Sequence, residues 1–276
     1  MIDAHQHFWN PARIPQPWLT QEHAVINRPF EPADLEPLLA EAGVDRTVLV
    51  QSAARDDDTD YMFELVHDVP WVGAVVAWVR LDDPGRARAR LRELGEEPKL
   101  RGVRPLVHQE HDPHWILRDE VRPGLDAVAE ADLLLELPAV FPNHLADIPQ
   151  LAARHPSLTL VIDHLAKPPL GTSAMPRWRD QLAAAAEHAN VFAKVSGLNT
   201  VAPPDWGPDD LAPAVSAALE FFGPSRLMLG SDWPVALLNG GYVDVLSRTA
   251  EAVRAAAGAD TEIVLSATAA RLYRLG

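Results

Sequence analysis

Ile2-Asp3-Ala4-His5-Gln6-His7-Phe8-Trp9 reads as a short strand that carries two histidines two residues apart. In a strand, residues i and i+2 face the same side, so His5 and His7 are expected to share one target. Two imidazoles aimed at one point suit a metal ion or a pair of hydrogen bonds to a polar substrate. The residues after this strand decide the fold. No glycine-rich turn comes next, where a dinucleotide-binding sheet would need one. Instead, residues 10–36 contain Pro11, Pro15, Pro17, Pro29 and Pro32 and little periodicity. This predicts a long ordered loop, a kind of segment that usually carries function.

Beyond the loop, Asp34 to Ala42 has helical spacing and stops at Gly43, and the β-branched run Thr47 to Ser52 comes after it. The alternation then repeats. Apolar runs at Val72–Val79, Gly102–Val107, Leu133–Leu137, Leu158–Ile162, Val191–Val195 and Leu227–Leu229 are separated by helical stretches. These are Tyr61–Val66, Pro84–Leu94, Gly124–Ala131, Asn143–Ala153, Arg177–Ala189 and Leu211–Phe222, with Val243–Ala257 after the last strand. Eight near-continuous apolar strands are what parallel strands buried on both faces require. The expectation is an α/β fold, a (β/α)8 TIM barrel of one domain spanning residues 1–276, a length usual for that fold.

The chain has 24 Lys and Arg against 39 Asp and Glu, a formal charge of -15, which argues against a nucleic-acid or anionic-membrane partner. The absence of cysteine excludes disulfides, thiolate nucleophiles and cysteine metal sites. No apolar run reaches membrane-spanning length and no leader segment is evident, so the cytoplasm is the expected location.

In such a barrel the functional site lies at the carboxyl ends of the strands. Polar residues gather there: His5 and His7, Gln51 and Ser52, Trp78 and Arg80, Arg104 and His108, Glu136, Asp163 and His164 with Lys167 beyond, Lys194 and Ser196, and finally Ser231 and Asp232. Any one of them could be a solvated rim or a hydrogen-bonded core residue; polar ends on at least six strands are harder to assign to chance. The loop after strand four, with His108, His111, His114 and Trp115, could reach over the mouth and select substrate, or be no more than a solvated loop.

Five motifs resemble the amidohydrolase superfamily, in the branch that holds the sugar-acid and aromatic-pathway lactonases. They are IDAHQHFW at 2–9, GVR at 102–104, DHLAKPP at 163–169, KVSGL at 194–198 and RLMLGSDWPV at 226–235. The resemblance implies a distorted (β/α)8 barrel that opens a sugar-acid lactone of the L-fuconolactone or L-rhamnonolactone type. It implies that Asp232 is the general base for water, that His5, His7 and His164 line the same pocket, and that Arg104 and Lys167 bind substrate oxygens. Lys194 and Gln51 would face the site, and Trp9 and Trp233 would supply flat walls for a sugar ring.

Classical members of that superfamily hold metal with further histidines on middle strands, where this chain has Glu136 and Lys194. A binuclear centre is therefore not expected. Either no cofactor is required, or one zinc or manganese ion is held by His5, His7 and Asp232, three ligands with an open position. Thr268, in the stretch that resembles the family's closing helix, stands where asparagine is common. The partner expected is a small-molecule lactone or organic acid, and a homo-oligomer is compatible with the sequence. The competing readings are a metal-dependent decarboxylase or an amidohydrolase of a small carboxylic acid on the same fold, and a barrel that binds a small acid without turning it over.

Overall fold

The computed structural model describes residues 1–275. Eight strands form one parallel sheet in the order β1 to β8: Ile2–Gln6, Arg46–Val50, Val72–Ala77, Leu100–Val103, Leu134–Leu137, Leu160–Ile162, Val191–Val195 and Leu227–Leu229. The helices between and after them are α1 (Pro32–Ala42), α2 (Asp56–Val66), α3 (Pro84–Leu94), α4 (Arg122–Glu130), α5 (Asn143–Arg154), α6 (Met175–Ala186), α7 (Pro208–Phe222) and α8 (Tyr242–Ala257), and the short α9 (Thr268–Leu272) closes the chain. The architecture is the (β/α)8 barrel expected, and every strand falls within or close to its expected run. The largest departure is β4, which ends at Val103 rather than running to Val107. Pro105 lacks the N–H that a continuing ladder would need.

The distortion lies at the seam. Among the described residues, β1 meets the segment that follows β8 through one isolated parallel bridge, Gln6 to Trp233, in place of a full ladder. The buried carboxylate of Asp3 completes the closure, accepting bonds from Ser231 N (2.8 Å), Ser231 Oγ (2.6 Å) and Tyr242 OH (3.1 Å).

Inside the barrel the side chains form layers. Ile2, Ala4, Val48, Val50, Ala74, Val76, Leu134, Val161, Phe192 and Met228 form an apolar lower layer, closed from below by Ala269 and Tyr273. Two residues further along three of these strands stand Glu136, Asp163 and Lys194, all without solvent exposure. The period of two that makes Leu134, Val161 and Phe192 interior makes these three interior as well. On β1 an irregularity in register opposes Asp3-to-Gln6 with Thr47-to-Leu49, one extra residue on the first strand. Such bulges re-aim side chains beside active sites. This one lets His5 and His7 reach the interior although Ala4 also points there.

Candidate active site

A cavity of about 480 Å³ opens at the carboxyl end of the barrel. Its floor holds His7, His164 and Asp232, with Arg104 and Lys167 at its sides. Trp9, Trp18, Leu106, Pro138, Ala139 and Val235 contribute the apolar wall. The proline-rich loop contributes Pro17 and Trp18 to that wall, with Trp9 and Trp18 edge to face at 5.3 Å between ring centroids.

The strand ends converge closely. His5 Nε2 and His7 Nε2 lie 3.1 Å apart, and Asp232 Oδ1 is 3.7 Å from the first and 3.3 Å from the second. His164 Nε2 is 3.7 Å from Asp232 Oδ2, and its Nδ1 meets Ser196 Oγ at 2.9 Å. His7 Nδ1 faces the carbonyl of Val50 at 2.7 Å, which fixes the ring plane. Ligands about 2 Å from a zinc ion at tetrahedral angles are about 3.3 Å from one another, so spacing, donor type and burial all suit a divalent ion. Ligand atoms of His5, His164 and Asp232 lie within 4.8 Å of one another, so His164 joins two of the three expected ligands, with His7 Nε2 beside them.

Backbone strain sets the directions of these groups. Asp232 has φ of 62°, and His164, Leu165, Ala166 and Lys167 have four consecutive positive φ values between 49° and 58°. A left-handed turn without glycine costs roughly 1–2 kcal/mol per residue. It is anchored by Phe141 N donating to the Ala166 carbonyl (2.9 Å) and Trp178 Nε1 donating to the Leu165 carbonyl (2.9 Å). Strain of this kind concentrates at functional sites.

Electrostatics depend on burial and neighbours. Burial alone would raise the Asp232 carboxyl, but the charge His164 carries in the acid range where this group titrates, the hydrogen bond with His7 and the ammonium of Lys167 outweigh it and hold the group well below the usual carboxylate range. Burial pushes His164 down to about 3, so its ring is neutral near pH 7 and Lys167 supplies the standing positive charge. Burial, reinforced by the Lys194 ammonium, likewise holds His5 well below its ordinary value. Beneath this floor, Asp163 Oδ2 accepts from Arg104 Nε (2.7 Å), while Oδ1 lies 3.3 Å from His5 Nδ1 and 3.5 Å from Lys194 Nζ. Burial works against the ionised Asp163, and contact with His5 and the charges of Lys194 and Arg104 overcome it.

Of the expected site residues, His7, Trp9, Arg104, His164, Lys167 and Asp232 line the cavity. Four do not. His5 has no exposed surface and stands behind His7. Gln51 is equally buried, its Nε2 donating to the Arg104 carbonyl at 2.7 Å. Trp233 packs edge to face on Phe8 and Phe30 in the core. Lys194 is enclosed in the barrel, donating to Glu136 Oε2 at 2.5 Å. Ser52 takes the place expected of Gln51 and is held by Asp58 through both N and Oγ. Two further interior partners, Asp163 and Tyr273, have no role assigned from sequence. Asp163 was legible as a strand end; Tyr273, whose hydroxyl donates to Glu136, lies in the terminal helical segment and gives no such signal.

A parallel eight-stranded barrel with a histidine and aspartate cluster at its carboxyl end defines the amidohydrolase class of site. The chain belongs to the amidohydrolase family, whose model matches residues 2–275. Relatives include an L-fucono-1,5-lactonase from Burkholderia ambifaria, 43% identical over 88% of this chain and 83% of the relative. A second L-fucono-1,5-lactonase, from Burkholderia multivorans, is 36% identical over 99% of this chain and 96% of its own. Among solved structures, an amidohydrolase from Burkholderia multivorans with bound zinc superposes with a TM-score of 0.90 at 33% identity, over 100% of this chain and 99% of the other.

Proposed function

We propose that this protein hydrolyses the lactone of a sugar acid, with L-fucono-1,5-lactone, the substrate named for two relatives, as the first to test. The observation that carries this reading is an ionised carboxylate, Asp232, only 2% exposed, on the floor of a cavity whose sides bear Arg104 and Lys167. Lactone hydrolysis needs a group to take a proton from water and positive charge where the oxyanion develops. Asp232 holds the water and takes its proton as the oxygen bonds to the carbonyl carbon. Arg104 and Lys167 face the oxyanion. Arg104 commits Nε to Asp163 and Nη1 to the Gln51 carbonyl, and among the described residues Nη2 has no acceptor, leaving it for a ligand. Collapse of the tetrahedral carbon breaks the ring C–O bond, and the proton on Asp232 passes to the departing oxygen, giving the open hydroxy acid.

A divalent ion held by His5, His7, His164 and Asp232 would add Lewis-acid polarisation. The aromatic and aliphatic wall would hold the less polar face of the sugar ring. The test is acid release from a panel of sugar-acid lactones, read with a pH indicator. Turnover of one or more five- or six-membered sugar lactones is expected; no turnover of any, with activity on an aromatic acid instead, would overturn the reading.

A further inference from the structure

We infer that Lys194 fixes which nitrogen of His5 carries its proton, and thereby sets the affinity of the His5, His7, His164 and Asp232 cluster for a divalent ion. Lys194 Nζ lies 3.1 Å from His5 Nδ1, fully buried. An ammonium has donors only, so the ring nitrogen facing it must be the acceptor and the His5 proton sits on Nε2. Asp163 Oδ1 lies 3.3 Å from the same Nδ1 and 3.5 Å from Lys194 Nζ, so Lys194 is a donor that both the ring nitrogen and the carboxylate can use.

The far side of the cluster points the same way. The Val50 carbonyl can only accept, so His7 donates to it from Nδ1. On the other side of the His5 ring, Nε2 faces Asp232 Oδ1 at 3.7 Å, and a carboxylate oxygen, which can only accept, suits an N–H there.

A metal ligand needs a lone pair. With its proton on Nε2, His5 offers none to an ion on the pocket floor, and moving that proton to Nδ1 would press an N–H against the ammonium. Lys194 itself occupies a cation position: ligand atoms of His5, Glu136 and Asp163 lie within 4.8 Å of one another, and Nζ is 2.5 Å from Glu136 Oε2 and 3.5 Å from Asp163 Oδ1. The carboxylates of Asp163, Glu136 and Asp232 are matched by Arg104, Lys167 and Lys194, so the charges of the site balance before any ion arrives. Lys194 is in this sense a positioning residue that favours the metal-free state.

The experiment is 15N NMR of histidine-labelled, chelated protein, with His5 assigned from a His5→Gln spectrum, together with zinc titration of the same samples. The wild type is expected to show a pyridine-type Nδ1 on His5. In Lys194→Met the freed nitrogen becomes pyrrole-type and donates to Asp163, and zinc binds about 10- to 100-fold more tightly, the range seen when partners of metal-ligating histidines change. Lys194→Arg, which keeps the donor charge, retains the wild-type signature. Should Lys194→Met fail to fold because Glu136 is left an unpaired buried anion, Lys194→Met with Glu136→Gln removes both charges, and the wild-type spectrum decides by itself. A pyrrole-type Nδ1 in the wild type, or zinc affinity unchanged without Lys194, would overturn the inference. Neither readout uses a substrate, so failure of the lactonase reading would leave it standing.

Discussion

Asp232 is held with a left-handed backbone, and Gly197 is what leaves room for its carboxylate. A Cβ at position 197 would sit 2.7 Å from Asp232 Oδ2 and 2.8 Å from His164 Nδ1, on a backbone with φ of 58°. Gly197→Ala is therefore expected to fold but to push both groups aside. Since a displacement near 1 Å costs on the order of 100-fold in rate, steady-state kinetics should show a loss of about that size, with circular dichroism unchanged. At this scale His5, His7, His164, Arg104 and Asp232 were legible in the sequence because each is a polar residue at the end of an apolar run. The side to which a neighbour turns was not. Trp233 adjoins Asp232 yet packs on Phe30 with ring centroids 5.2 Å apart, because consecutive residues diverge once a strand ends in a turn.

The left-handed turn from His164 to Lys167 is held from outside. Trp178 on α6 is fully buried, and its indole N–H satisfies the Leu165 carbonyl. Trp178→Phe leaves that carbonyl without a donor, a cost of about 1–3 kcal/mol. Thermal unfolding should show the loss, and kcat should fall as His164 and Lys167 lose their fixed directions, although position 178 lies outside the pocket. Nothing in the sequence announced this turn, because glycine and asparagine, the residues that signal positive φ, are absent from His164-Leu165-Ala166-Lys167. The Pro-rich loop was legible as ordered, and Trp18 within it lines the cavity. Trp18→Ala should raise KM by about tenfold, equivalent to about 1.4 kcal/mol of lost contact, with little change in kcat.

For the whole molecule, the eightfold alternation was plain from composition because strands buried on both faces must be apolar throughout. The charged layer above the apolar interior was less plain: Glu136 and Lys194 resemble site residues by position and are partners of each other. Buried titratable groups also tie stability to pH. In metal-free protein the folded pKa of His164 is about 3 against 6.5 for the exposed ring, so between those values the unfolded chain binds a proton that the folded chain refuses. Stability then falls as pH drops, by about 2 kcal/mol from this group at pH 5, and His5 acts in the same direction. Asp3 acts oppositely. Burial raises it to about 6 despite its hydrogen bonds, so its contribution is present at low pH and is lost as pH rises through 6. Thermal melts of chelated protein should show a lower Tm at pH 5 than at pH 7, and Asp3→Asn should steepen the fall; a flat or rising Tm on acidification would contradict these assignments.

Activity should respond differently to acid. Asp232 stays ionised far below neutral pH, so if it is the base as proposed, its protonation imposes no loss of kcat/KM between pH 7 and 5, whereas an ordinary histidine base would lose activity near 6.5. The most direct measurement is lactone turnover by exhaustively chelated wild type and Asp232→Asn, side by side. Wild type is expected to retain turnover and Asp232→Asn to lose about 1,000-fold or more while keeping its fold, within the range of a single general base. Near-wild-type turnover by Asp232→Asn would contradict the assignment of Asp232, and abolition of wild-type turnover by chelation, restored by zinc, would contradict the turnover predicted for the chelated enzyme.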